Sequence, residues 1–153
     1  ANAAYSMGFS YYRLLNAKEK YKDCNDEEIL SFLLAEDIQK CYEEKNIYSY
    51  QGTLIKAASY MHKIKKFETA LEFYILSYFV WCMQVETFDV PGINSQSYYL
   101  ALNIDRCGKQ CNYSLNDIER CIYNTIINTN PFELGTPNNA NRMIDIFRKA
   151  LSI

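Results

Sequence analysis

The sequence predicts an all-α fold, built from about seven helices as stacked antiparallel hairpins or an irregular helical bundle. Three observations predict it. Apolar residues recur every three to four positions along successive segments, and nothing alternates with strand period for more than a few residues. Only 3 Pro and 5 Gly interrupt 153 residues, so long helices can run unbroken. The segments are joined by short polar connections, which make consecutive helices antiparallel neighbours.

Each element has its own signal. The first helix runs from about Gly8 to Lys22, with Phe9, Tyr12, Leu15 and Tyr21 spaced for one face. The second begins where Asn25 can cap and Glu28 stands three residues on, the spacing of a capping box. Asp26, Glu27 and Glu28 also suit the positive end of the helix dipole. Ile29, Phe32, Leu33, Ala35 and Cys41 carry that helix to about Glu44. Asn46 to Gln51 reads as a short connection. The third helix covers about Gly52 to Lys65, with Leu54, Ala57, Ala58, Met61 and Ile64 as its apolar stripe. The fourth, about Phe67 to Gln84, is apolar nearly all round and is predicted to be the most buried.

Val85 to Ser97 contains Asp89-Val90-Pro91-Gly92, a turn signal, and reads as the longest loop. The fifth helix spans about Ser97 to Cys111, with Leu100, Ile104, Cys107 and Cys111 at steps of four, three and four. Ser114, with Asp117 three residues later, starts the sixth, which carries Leu115, Ile118, Ile122 and Ile126. Asn128 to Gly135 is a loop. Thr136 caps the seventh, and Pro137 sits in its first turn, where proline is tolerated. Met143, Ile146, Phe147 and Ala150 are predicted to face inward.

The length suits one helical domain over residues 1–153, large enough to fold without disulfides or metal. A net charge of −2 gives no global attraction to nucleic acid or to an acidic membrane. The strongest apolar run, Phe73 to Met83, is about half the ~20 residues that a membrane-spanning helix needs. Ala1 to Phe9 lacks the basic and apolar regions of a secretory leader, so a cytoplasmic location and no membrane partner are expected. The abrupt end at Ala150-Leu151-Ser152-Ile153 reads as that of a piece excised from a longer protein.

One stretch carries a family likeness. Ala58-Ser59-Tyr60-Met61-His62-Lys63-Ile64-Lys65-Lys66-Phe67-Glu68-Thr69-Ala70-Leu71-Glu72-Phe73-Tyr74 resembles a tetratricopeptide unit, within residues of about 52–84. Ala58 stands at the small position of the first helix, and Ala70 at the small position that lets the second approach. Phe67 matches the aromatic before the second helix, and Phe73 and Tyr74 the aromatic pair after it. Lys65 replaces the turn glycine, Ser77 a later alanine, and no proline closes the unit. The sixth helix, with Ile118 at the small position, fits the pattern poorly. The resemblance implies a scaffold that binds extended peptides along the inner face of its first helix. Ile55, Ser59, His62 and Lys63 stand at the matching positions, and helical geometry adds Lys56 beside Ser59 and Lys63.

No catalytic constellation is legible. His62 is the only histidine, and no nucleophile stands at a recognisable spacing from it. Cys24, Cys41, Cys82, Cys107, Cys111 and Cys121 lack the two close pairs of a zinc site and fit apolar stripes, as small core hydrophobes do. No metal or cofactor is therefore expected. Lys56, His62, Lys63, Lys65 and Lys66 form one basic cluster near Tyr60 and Phe67. Cations interleaved with exposed aromatics are what single-stranded nucleic acid binds. The sequence reads as a non-catalytic, helical-repeat-like domain that binds a protein or acidic peptide through Lys56, Ser59, His62 and Lys63. A nucleic-acid-associated domain using the third helix is the alternative.

Overall fold

The computed structural model describes residues 7–84 and 95–152. Among these are seven α-helices and no strand. They are α1 (Tyr11–Lys20), α2 (Asp26–Glu43), α3 (Ile47–Lys63), α4 (Phe67–Gln84), α5 (Ser95–Gln110), α6 (Leu115–Thr129) and α7 (Pro137–Leu151). A 3-10 turn, Pro131–Glu133, precedes α7. No helix among the described residues is long and apolar enough to cross a membrane.

The helix starts obey the capping signals. Asn25 accepts from the Glu28 N–H at 2.9 Å while Glu28 accepts from the Asn25 N–H at 3.1 Å. Ser114 and Asp117 form the same box on α6, and Thr136 caps α7. Two expectations need correction. The stretch from Asn46 to Gln51 is not a connection: Asn46 accepts from the Ser49 N–H, and α3 begins at Ile47. Its short aromatic run hid a first turn whose Tyr50 is buried. Along the first helical segment Phe9 and Tyr21 pack on the core as expected, but Tyr12 and Leu15 face out. Tyr12 is 77% exposed and Leu15 45%, whereas Phe9 and Ala17 are buried. An ion pair and a hydrogen bond add to those apolar contacts. Arg13 meets Asp37 at 2.7 Å, and the Tyr21 hydroxyl donates to Glu36 at 2.7 Å, which holds that carboxyl below its usual range. The turn expected at Asp89 to Gly92 lies outside the described residues.

Three helices end alike. After α2, α3 and α5, the residues Lys45, Lys65 and Asn112 adopt left-handed φ of 56°, 64° and 63°. At each end two N–H groups turn back on the last carbonyls, as Lys66 N–H does to Met61 O at 2.8 Å and Lys65 N–H to His62 O at 3.1 Å. This is the Schellman arrangement, which satisfies carbonyls that the helix leaves open. Two of the three positions hold lysine where glycine would be free of steric cost.

α4 is the centre, as its all-round apolarity predicts. It packs against α3, α5 and α6, and α7 closes over α5 and α6. One hydrophobic cluster runs from Phe9 to Ala150 and includes Ile75, Phe79, Ile104, Ile122 and Phe147. Burying each such side chain contributes about 1.5–3 kcal/mol. A smaller cluster joins Tyr50, Leu54, Leu76 and Val80. It is reached from far along the chain by Phe132, whose ring stacks on Tyr42 at 4.7 Å and meets Tyr50 edge-on at 5.2 Å. Phe132 has φ 52°, and its N–H donates to the Tyr42 hydroxyl at 3.1 Å. The turn is closed by Asn130, which accepts from the Gly135 N–H at 2.9 Å. A Cβ at Gly135 would fall 2.3 Å from the Ile126 carbonyl oxygen, so only glycine fits.

Candidate functional site

The four α3 residues singled out by sequence do not behave as one set. Lys56, Ser59 and Lys63 are exposed, as the helical wheel requires, because Leu54, Ala57, Ala58 and Met61 take the buried side. The Lys56 Nζ lies 4.0 Å from where a Cβ of Gly8 would stand, so the ammonium overhangs the segment before α1. Ser59 Oγ and the Tyr74 hydroxyl share a hydrogen bond of 3.4 Å. Burial pushes the Tyr74 hydroxyl up from its usual range, and the Ser59 contact opposes this in part.

His62 is half-buried and already engaged. One ring nitrogen, Nε2, lies 2.7 Å from Gln110 Oε1, and the other, Nδ1, lies 3.6 Å from Cys107 Sγ. With the thiol as donor to Nδ1, the ring hydrogen sits on Nε2 and Gln110 accepts it. The ring also meets Phe67 edge-on at 5.6 Å. His62 thus ties α3 to α5. Both of its ring nitrogens are engaged with α5 in this arrangement.

Sequence reasoning found no nucleophile beside His62, yet the fold brings Cys107 to it. The two are 45 positions apart, and no spacing rule spans that distance. A thiol, an imidazole and a side-chain carbonyl in line are the parts of a nucleophilic dyad with its orienting group. Here the electrostatics oppose that use. Cys107 is fully buried, and burial pushes its thiol up to about 11, so at neutral pH it is protonated and sealed from substrate.

Arg106, which sequence reasoning also passed over, belongs to the same surface. It is exposed on α5, and its guanidinium is close enough to Tyr74 and Cys107 to oppose the rise in both. Tyr99, 45% exposed on α5, lies close enough to Tyr74 to add to that rise. Lys56, Lys63 and Arg106 make no ion pair with any described residue, whereas Arg13, Arg120 and Arg148 all do. The signal that finds Arg106 is its position one residue before Cys107, at the edge of the face that His62 joins.

Of the two aromatics expected beside the basic cluster, Tyr60 is closed to bases and Phe67 is half-buried. Tyr60 is 8% exposed, and Phe67 turns toward His62. Of the six cysteines, Cys82 and Cys107 are buried and Cys24, Cys41, Cys111 and Cys121 half-buried. Among the described residues no three His, Cys, Asp or Glu side chains are grouped to hold a metal ion. In comparisons with known proteins, no family model, no curated protein and no solved structure matches this chain.

Proposed function

We propose that this chain is a non-catalytic, tetratricopeptide-like interaction domain that binds an acidic segment of a protein partner across the exposed face of α3 and α5. The supporting observation is the trio of exposed cations, Lys56, Lys63 and Arg106, with no carboxylate partner among the described residues. Ser59 and Tyr99 add hydroxyl donors to the same face. Carboxylates accept from both kinds of donor, and charge-assisted hydrogen bonds are about twice as strong as neutral ones. His62 acts in this reading as a support that holds α3 against α5. The proposal sets the domain in the cytoplasm, where cysteines stay as thiols.

The test is anisotropy of a labelled glutamate-rich peptide against the parent chain and the Lys56→Glu/Lys63→Glu double variant. Both lysines are exposed, so thermal melts should agree. The variant should bind at least tenfold more weakly, about 1.4 kcal/mol. Equal binding would remove this surface from consideration. A single-stranded oligonucleotide is the second probe. Tight binding with steep salt dependence would favour the nucleic-acid reading instead, against which the burial of Tyr60 weighs.

A further inference from the structure

A different pair of helices, α4 and α6, frames an open groove of about 580 Å³. On α6 its wall follows the stripe Asp117, Cys121, Asn124 and Asn128, spaced four, three and four along one helical flank. The orientation is fixed from behind, because Ile118, Ile122 and Ile126 are all buried. Glu72 of α4 forms the facing wall. Asn124 and Asn128 are exposed and make no hydrogen bond with any described residue. We propose that this groove is a binding site for an extended, basic peptide segment whose main chain pairs with Asn124 and Asn128.

The spacing carries the first half of the argument. Four residues of α-helix rise about 6 Å. Two residues of extended chain rise about 6.6 Å, and that is the repeat of backbone groups facing one side. Each asparagine amide holds an acceptor oxygen and a donor nitrogen, so it can pair with both the N–H and the C=O of a peptide unit. Two such amides one helical turn apart therefore meet alternate residues of the same extended segment. A helical ligand has no free backbone groups to offer them.

Charge carries the second half. Asp117 is already committed: it closes the cap with Ser114 and meets Arg120 at 3.5 Å. Glu72, and Glu68 one turn before it, are exposed and make no ion pair with any described residue. Both lie near enough to Cys121 to push its thiol up, though burial is the larger cause. Arg120 also lines the groove but is paired with Asp117, so Glu72 is the uncompensated carboxylate of the lining, with Glu68 close by outside it. An extended chain presents alternate side chains to one side, so a lysine or arginine on that side would face Glu72, and the next one along would lie toward Glu68 at the groove's edge. This site is independent of the α3 and α5 face, and either can fail without the other.

The experiment uses fluorescein-labelled ten-residue peptides and anisotropy on the whole chain. One peptide alternates Lys with Thr, a second alternates Glu with Thr, and a third repeats the first with alternate backbone nitrogens methylated. The parent should bind the Lys–Thr peptide, and bind the Glu–Thr and N-methylated peptides at least tenfold more weakly. Asn124→Ala/Asn128→Ala, whose sites are exposed, should melt like the parent and lose at least tenfold for the Lys–Thr peptide. Glu72→Gln should lose several-fold. Absence of binding by the Lys–Thr peptide overturns the proposal. So does equal binding of the methylated peptide, which needs no variant to fold, or of the Glu–Thr peptide.

Discussion

The hairpins α3–α4 and α5–α6 solve one packing problem with opposite choices. Each first helix ends in a Schellman turn, and each second helix starts within a few residues of it. The fourth residue of the second helix is Ala70 in one hairpin and Ile118 in the other. The residue three before the last turn's cap is Met61 in one and Gly108 in the other. So large and small have changed sides. A Cβ on Gly108 would lie 2.4 Å from Ile118 side-chain atoms, which shows how closely the isoleucine fills the missing side chain's place. In the second hairpin the small residue of this contact stands on the first helix, whereas in the first hairpin Ala70 supplies it from the second.

The largest effect that can test this comparison is at Ile118. Replacing it with Ala should cost about 2–5 kcal/mol, since it is 1% exposed. Gly108→Ala alone should also destabilise, by on the order of 1–3 kcal/mol from overpacking. Made together with Ile118→Ala, the same change should become stabilising, because alanine favours helix over glycine by about 1 kcal/mol. Chemical denaturation of the four proteins measures the cycle. If Gly108→Ala costs the same in both backgrounds, the two side chains do not share one space.

In the first hairpin the corresponding change is Ala70→Leu, expected to cost on the order of 1–3 kcal/mol because Ala70 is fully buried. Adding Met61→Ala should recover part of that loss in a thermal melt. Simple additivity of the two would separate Met61 from the crossing and break the symmetry drawn above.

The smallest expected effect lies in the turns. Lys65 and Asn112 occupy equivalent left-handed positions. A left-handed conformation costs an ordinary L-residue roughly 1–2 kcal/mol, and asparagine less. Lys65→Gly should therefore stabilise the chain by about 1 kcal/mol, and Asn112→Gly by only a few tenths. Equal gains at both sites, measured as shifts in denaturation midpoint, would show that the turns are not strained as their φ values imply.

Helix number, order and most boundaries were legible because caps and periodicity are local. Asn25, Ser114 and Thr136 sit where their spacing says, and the stripe of α7 is inward as read. The start of α3 was missed because Ile47-Tyr48-Ser49-Tyr50 is too short to show a period, although Asn46 was a cap signal in plain view. The contact between Gly108 and Ile118 was not anticipated, because the two lie on different helices and no local spacing joins them. At the candidate site, exposure of Lys56, Ser59 and Lys63 followed from the helical wheel. The partners of His62 did not, because Cys107 and Gln110 reach it only through the packing of α5.

The contact of Phe132 with Tyr42 and Tyr50 bears on how the chain comes apart. In a stack where each unit touches only its neighbours, the ends can melt while the middle survives. Here the Phe132 N–H bonds a hydroxyl 90 positions earlier, bridging the turn before α7 to α2 and α3. Forming that bridge closes a long loop, which delays it kinetically but adds little cost with further length. Once made, it ties α2 and α3 to the turn before α7, so loss of either end should be felt at the other, and unfolding is expected as a single transition rather than as fraying from one terminus.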